Sequence, residues 1–294
     1  MRDLSAATAF ITGAGKGIGC GIARALAARG ARLALADLDA DSLGAATAEL
    51  GPTTTVRTFA FDVRDRDAFG RAVDEAESQL GPVNILCNNA GLVFPEDLEA
   101  MTYEVWDLAL GVNLGGVVNG VQTVLPRMME RGNPAHVVNT ASVAGLGPGG
   151  GLMYTTGKYA VVGLSESLGE RLSAKGLPIG VTVLCPGAVA TDIAETGRAA
   201  VGGLSQDSGA ARDYADRLTE STAELLATHG VDPDTVGRRV AEAITTDARF
   251  VLTDRAAEGK INERTQRILA SMPPDASEGT DETIYQSAAS LREK

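Results

Sequence analysis

The chain has 294 residues, 44% of them hydrophobic and only 4% aromatic, so its core is expected to be packed from small aliphatic side chains. Its 26 basic and 38 acidic residues give a formal net charge of −12. A surface of that sign repels nucleic acid and anionic membranes, and we therefore expect neither as a partner.

Short apolar runs alternate with longer amphipathic stretches along the chain. In the first unit, the strand 8–12 precedes a segment, 17–30, that places Ile18, Ile22 and Leu26 on one helical face. The strands are continuous apolar runs, which is typical of a parallel sheet covered on both faces. The later predicted helices are 39–50, 65–80, 101–131 and 153–175, and the later predicted strands are 32–37, 55–62, 83–91, 135–142, 179–187 and 249–254.

This alternation predicts an α/β fold, a doubly wound Rossmann-type parallel sheet of seven strands with helices on both faces. We assign residues 1–254 to one domain. Residues 191–230 form a long insert rich in Ala, Gly, Asp and Glu, and residues 255–294 extend beyond the last strand. We predict that this extension is partly helical and partly flexible, because it contains the stretch SMPPDASEGTD.

The cysteines and histidines offer little to a metal or a disulfide framework. Cys20, Cys87 and Cys185 lie far apart in apolar contexts, which predicts buried free thiols in a reducing compartment. With two histidines and no C-x-x-C pair, no metal site is predicted. The apolar stretch near the N-terminus is too short for a signal sequence, and no run nears the ~18 apolar residues of a membrane span. We therefore expect a cytoplasmic protein.

A glycine-rich loop, TGAGKGIG at 12–19, joins the first strand to the first helix. Its spacing fits neither G-x-G-x-x-G nor G-x-x-x-x-G-K-[ST]. Glycines at this position nevertheless let the backbone approach a pyrophosphate, whose charge rests on the N–H groups at the helix start. The predicted cofactor contacts in the loop are Gly13, Gly15, Lys16, Gly17, Ile18 and Gly19.

Asp37 ends the second predicted strand. A carboxylate there accepts hydrogen bonds from both ribose hydroxyls of an adenosine and repels a 2′-phosphate. The alternative is that an aspartate between Asp37 and Asp39 caps the following helix. Lys16 in the loop would favour an additional phosphate, but Asp37 sits closer to the discriminating hydroxyl. NAD is therefore preferred over NADP.

Tyr154 and Lys158 stand one helical turn apart, directly after a run of glycines. Lowering a phenol pKa from 10 to about 7 requires about 4 kcal/mol. One cation about 4 Å away, at an effective dielectric of about 20, supplies energy of that order. Tyr154 is thus a candidate proton-transfer group. Ser142, at the end of the fifth strand, could hydrogen-bond a substrate oxygen there, although a lone serine at such a place is more often a turn residue.

Taken together, the chain resembles the short-chain dehydrogenases/reductases, in their shorter single-domain branch. The resemblance covers about residues 1–192, and its motifs follow the order found in that family. They are TGAGKGIG (12–19), NNAG (88–91), NTASVAG (139–145), YTTGK (154–158) and PGAVAT (186–191).

The resemblance implies roles for individual residues. Tyr154 would be the general acid/base, while Lys158 would lower its pKa and bind the nicotinamide ribose. Ser142 would orient the reacting oxygen, and Asn113 would hold a water that links Lys158 to solvent. The cofactor contacts that it implies are Asp62 and Val63 beside the adenine, Asn89, Ala90 and Gly91 on the adenosine side, and Pro186, Gly187, Val189 and Thr191 over the nicotinamide amide.

We accordingly expect an NAD-dependent oxidoreductase that interconverts a secondary alcohol and a ketone without a metal. The insert 191–230 would form its substrate lid, and the family suggests a homodimer or homotetramer. Alternatives are an NADP-dependent ketone reductase of the same fold and a non-catalytic NAD(H)-sensing or scaffold protein. The substrate should be hydrophobic, because the predicted pocket beside Ser142 and Tyr154 is mostly apolar: Val93, Phe94, Val143, Leu146, Met153 and Val189.

Overall fold

A parallel β-sheet forms the centre of the protein. The computed structural model describes residues 3–93, 101–202, 204 and 209–272, and within these residues the sheet has seven strands. They are β1 (Thr8–Thr12), β2 (Arg32–Asp37), β3 (Val56–Ala60), β4 (Val83–Asn88), β5 (Ala135–Thr140), β6 (Ile179–Cys185) and β7 (Phe250–Leu252). Their order is β3-β2-β1-β4-β5-β6-β7, with every neighbouring pair parallel. The predicted doubly wound fold is confirmed.

Helices connect these strands and cover both faces of the sheet. Aspartates at the predicted starts cap two of them, since Asp39 accepts from the first-turn N–H groups of α2 and Asp65 from those of α3. The helices are α1 (Gly17–Ala27), α2 (Ala40–Leu50), α3 (Arg66–Leu80), α4 (Tyr103–Leu110), α5 (Gly116–Arg131), α6 (Leu152–Ala174), α7 (Ile193–Val201), α8 (Ala210–His229), α9 (Pro233–Thr246) and α10 (Glu258–Ala270).

Alternate side chains of β1 enter two separate cores. Ile11 packs on the side of α1 and α9, while Phe10 packs on the side of α3 and α5. The Phe10 ring stacks on Phe59 and Phe69, with centroids 6.0 and 5.6 Å away. The three cysteines are buried and free, as predicted. Both faces of β1 are thus fully buried, which explains why its sequence is a continuous apolar run.

The predicted helix 101–131 corresponds to the helical segment Tyr103–Arg131, which is not regular throughout. A π-helical turn, Gly111–Gly115, separates α4 from α5. The segment Tyr103–Arg131 is also long and apolar enough to cross a membrane by length and composition, contrary to our prediction that no run approaches that length. In the fold, its residues Val117, Val124 and Met128 lie in the buried cores, as expected for a core helix.

The insert 191–230 contains α7 and α8. The first compact unit of the chain extends from Met1 to Arg255, and a second unit comprises Ala256–Lys294. Within the second unit, α10 is formed entirely of exposed and half-buried residues. The predicted flexible stretch lies, except for its first two residues, outside the described part of the chain.

Candidate active site

The carboxyl ends of strands β1 to β6 border a cleft of about 260 Å³. This edge is where ligands bind in open α/β sheets. Many residues that the sequence nominated line this one cleft, although they come from strand ends, loops and helices that are far apart in the sequence. They are Gly13, Lys16, Gly17, Ile18, Asp37, Asp62, Val63, Asn89, Ala90, Gly91, Tyr154, Lys158, Pro186 and Thr191.

Other nominated residues do not line the cleft. Among the predicted cofactor contacts these are Gly15, Gly19, Gly187 and Val189, and among the predicted catalytic residues Asn113 and Ser142. Val189 is only 4% exposed, because its backbone pairs with Val231 in a short β-bridge. Any contribution of these residues to the cleft is therefore made through the neighbouring residues that line it.

Most residues of the predicted substrate pocket do not line this cleft. Met153 is 1% exposed and packs in a core with Val105 and Leu108, so it is a core residue. Val93, Val143 and Leu146 do not line the cleft either. Val143 and Leu146 belong to the 3-10 helix, Val143–Gly145, and its C-terminal end, directly after Ser142. Phe94 lies outside the described residues.

The insert that we predicted as a lid contributes to the cleft, as does the segment around the π-helical turn, through residues that the sequence did not nominate. On α7, Ile193, Thr196 and Ala200 line the cleft, and their spacing of i, i+3 and i+7 was the available signal. The remaining missed residues are Leu38, Phe61, Arg64, Leu92, Leu108, Val112, Thr140, Ala141 and Asp192.

The glycine loop brings the start of α1 to the cleft. Gly13 has a φ of +61°, and a Cβ atom there would lie 2.8 Å from the Cα of Ala90. No described side chain caps the first turn of α1, so its N–H groups point toward the cleft end of the helix without a side-chain acceptor. Such a helix start suits an anionic phosphate group.

Asp37 is held in place by the loop. One oxygen of its carboxylate accepts from the backbone N–H of Gly15 at 2.9 Å, and the other accepts from that of Asp39 at 3.1 Å. The helix cap is Asp39, whose side chain accepts from Asp41 and Ser42. Asp37 is therefore not the cap, and its carboxylate lines the cleft.

Lys158 lies on α6 at the bottom of the cleft. Its ammonium donates to the carbonyl oxygen of Thr140 at 2.9 Å and lies 5.6 Å from the centroid of the Tyr154 ring. Burial lowers the pKa of Lys158 to about 8. The side chain therefore remains mainly protonated at neutral pH and places a positive charge beside the phenol.

The pKa of Tyr154 is raised, whereas the neighbouring Lys158 led us to predict a lowered pKa. Burial raises this pKa above its ordinary value, and a hydrogen bond with the Ser142 side chain acts in the lowering direction. The Ser142 hydroxyl also donates to the carbonyl oxygen of Pro186 at 3.4 Å. Desolvation, which a sequence does not display, thus outweighs the hydrogen bond from Ser142 in setting this pKa.

Asn113 is presented by the π-helical turn. Its Oδ1 accepts from the N–H of Leu92 at 3.2 Å and its Nδ2 donates to the carbonyl oxygen of Leu92 at 3.0 Å. A Cβ atom on Gly91 would lie 3.0 Å from this Oδ1 and 3.3 Å from Nζ of Lys158. Gly91, Asn113 and Lys158 therefore converge, and the missing side chain at Gly91 leaves room beside the ammonium.

Comparison with known proteins agrees with this geometry. A family profile described as short chain dehydrogenase matches residues 7–202. A C alpha-dehydrogenase of Sphingobium sp. (strain NBRC 103272 / SYK-6) is 32% identical over 279 residues, covering 93% of this chain and 89% of the relative. A 1-deoxy-11-beta-hydroxypentalenate dehydrogenase of Streptomyces exfoliatus is 30% identical over 283 residues, covering 94% of each chain.

A solved structure is similar over nearly its whole length. It is a short chain dehydrogenase/reductase from Burkholderia phymatum in complex with NAD, with a TM-score of 0.85 and 31% identity. The match covers 94% of this chain and 98% of that one. The chain therefore belongs to the short-chain dehydrogenase/reductase family and is an oxidoreductase acting on CH–OH groups.

Proposed function

We propose that the protein is an NAD-dependent dehydrogenase that interconverts a hydrophobic secondary alcohol and its ketone, with Tyr154 as the proton-transfer group. The observation that carries this proposal is that Tyr154 and Lys158 line the same cleft as the glycine loop and Asp37. The residues fit a dinucleotide, because the start of α1 lacks a side-chain cap and Gly91 leaves space beside Lys158.

Each of the chain's polar groups then has a separate task. A bound nicotinamide supplies or accepts the hydride. The Tyr154 phenol gives its proton to the carbonyl oxygen during reduction and takes it back during oxidation. Ser142 shares a hydrogen bond with Tyr154 and can hold the same substrate oxygen. The Lys158 ammonium stabilises negative charge on the phenol and can donate to a ribose hydroxyl.

The charges around the glycine loop favour NAD over NADP. Asp37 presents a carboxylate to the cleft, and Nζ of Lys16 lies 3.7 Å from Oδ2 of Asp192. The pKa of Asp39 is lowered, mainly by hydrogen bonds from Ser42 and also by the charge of Lys16. The lysine that would attract a 2′-phosphate is thus already surrounded by acidic groups.

Asp37→Asn is expected to lower the preference for NADH over NADPH by about 100-fold. Hydrogen bonds to a charged group contribute about 1.5–3 kcal/mol each, which is roughly tenfold or more lost for NADH, and removing the repulsion gains a similar factor for NADPH. The measurement is kcat/KM with each cofactor. Asp41→Asn, an exposed change of the same charge on α2, is the control. An unchanged preference in Asp37→Asn would contradict the ribose role.

The wall of the cleft supports an apolar substrate. Leu92, Leu108, Val112 and Ile193 line it beside Tyr154. The two relatives are named as dehydrogenases, and an alcohol substrate is consistent with those names. We propose to test alcohols and ketones of graded size and polarity, following the NADH absorbance. Turnover that rises with apolar size supports the proposal. Tight NADH binding with no turnover of any member would instead support a cofactor-sensing protein.

A further inference from the structure

Two residues that directly follow the last strand, Thr253 and Asp254, hold the turn after β6 in place. The N–H of Gly187 donates to Oγ1 of Thr253 at 2.8 Å, and this hydroxyl donates to Oδ2 of Asp254 at 2.8 Å. Thr253 is only 4% exposed and does not line the cleft. Arg239 on α9 fixes the same strand end by donating to the carbonyl oxygens of Leu252 and Thr253 at 2.8 and 2.7 Å.

Hydrogen bonds link this turn both to Thr253, next to the last strand, and to Ser142, next to the cleft. Pro186 lines the cleft, and its carbonyl oxygen accepts from the N–H of Val143 at 3.0 Å and from the hydroxyl of Ser142 at 3.4 Å. The hydrogen bonds thus run from Asp254 through Thr253 and Gly187 to the peptide that holds Ser142. A displacement of Gly187 would move Pro186 and the acceptor of Ser142 together.

The fit between Gly187 and Asp254 is close. A Cβ atom added to Gly187 would clash with the Asp254 carboxylate. The turn therefore requires glycine because Asp254 lies against it, and Asp254 in turn orients the Thr253 hydroxyl. Thr253, through its hydrogen bond, and Asp254, through its close contact, both act on the turn at Gly187. The position of this turn is therefore set by two side chains and not by the loop alone.

We propose that Thr253, oriented by Asp254, is a positioning residue for the nicotinamide end of the site. It holds the Pro186–Gly187 turn where that turn can contact the nicotinamide and where the Pro186 carbonyl can hold Ser142. The inference rests on the proposed function, because it requires a dinucleotide in the cleft. It goes beyond that function by giving a role to two residues that touch neither cofactor nor substrate.

The test compares NADH with ADP-ribose, which shares every part of NADH except the nicotinamide. Titration calorimetry on the full chain should show that Thr253→Val weakens NADH about tenfold, since the half-buried N–H of Gly187 loses its acceptor, while ADP-ribose binding changes less than about twofold. Thr253→Ser restores the hydroxyl and should restore NADH binding. A variant that merely loosens the fold would weaken both ligands alike.

Several outcomes would overturn the inference. Equal weakening of both ligands, no weakening of either, or failure of Thr253→Ser to recover NADH affinity each contradicts the positioning role. Wild-type protein that binds neither ligand contradicts the proposed function itself, and the inference falls with it. Wild-type binding of both ligands, with Thr253→Val indistinguishable from it, contradicts the inference alone.

A second pair of variants decides the matter if Thr253→Val does not fold. Gly187→Ala should weaken NADH but not ADP-ribose, because the new methyl group clashes with Asp254. Adding Asp254→Ala removes the clash and should recover most of the lost affinity. A double variant as weak as Gly187→Ala would contradict the role of Asp254 in setting the turn.

Discussion

Tyr154→Phe is expected to lower kcat by at least about 100-fold, in either direction of the reaction. Phenylalanine keeps the ring in its place on α6 and removes only the hydroxyl that exchanges a proton with the substrate oxygen. Because the substitution leaves the glycine loop and Asp37 intact, the Kd for NADH should change little. The measurement combines steady-state turnover with NADH titration, so that loss of chemistry is separated from loss of binding.

Tyr159→Phe is the matched control. Tyr159 lies on the same helix, one position after Lys158, and it does not line the cleft. The same chemical change there should leave turnover nearly unaltered. Comparable turnover of Tyr154→Phe and wild-type protein would refute the assigned proton transfer, since a general acid/base contributes about 100- to 10,000-fold.

The strands of the fold could be predicted because strands buried on both faces appear in the sequence as continuous apolar runs. β1 and β2 begin and end where the apolar runs 8–12 and 32–37 do. β4 ends at Asn88 rather than at residue 91, because the backbone N–H groups of Asn89 and Ala90 turn to donate to Oγ1 of Thr12. A side-chain acceptor on another strand replaces the sheet partner there, and only the folded structure shows it.

The π-helical turn within the helix 101–131 could not be predicted from periodicity. One inserted residue in such a turn rotates all later side chains, and the glycines at Gly111 and Gly115 are compatible with either a regular α-helix or a π-helical turn. The turn contains Asn113, whose side chain bonds to the backbone of Leu92. The family resemblance nominated Asn113, whereas its local sequence did not.

The cofactor half of the site was easier to predict than the substrate half. Gly13 comes directly after β1 and Asp37 is the last residue of β2, so the topology of the sheet places both residues at the cleft. The apolar wall of the cleft includes α7, which lies in the predicted lid, and residues around Leu108, and which of their side chains reach the cleft depends on long-range packing. Met153 directly precedes Tyr154, but successive helical positions face in different directions, and the side chain of Met153 enters the core.

Lys158→Met is expected to lower kcat/KM for NADH by about 100-fold at neutral pH. Methionine fills the space of the lysine chain, but it cannot donate to a ribose or stabilise negative charge on the phenol. A buried hydrogen bond to a charged group contributes about 1.5–3 kcal/mol, so the loss of two such interactions is consistent with this factor. The measurement is ketone reduction at saturating ketone, with NADH varied.

The pH dependence identifies the charge as the cause. In the protein without cofactor the pKa of Lys158 is about 8 and that of Tyr154 is raised, so the phenol keeps its proton while the ammonium loses its own as pH rises through 8. Wild-type kcat/KM for NADH in ketone reduction should therefore be level below that pH and fall above it. Lys158→Met, having no such group, should show no fall there.

Lys158→Arg separates charge from geometry. A guanidinium remains protonated throughout this range, but its planar fork does not reproduce the single contact that Nζ makes with the carbonyl oxygen of Thr140. We expect an intermediate kcat/KM that does not decline above pH 8. A decline in Lys158→Arg matching that of wild type would assign the titration to another group. In that case the positive charge of Lys158 would not be the feature that enables Tyr154 to transfer a proton.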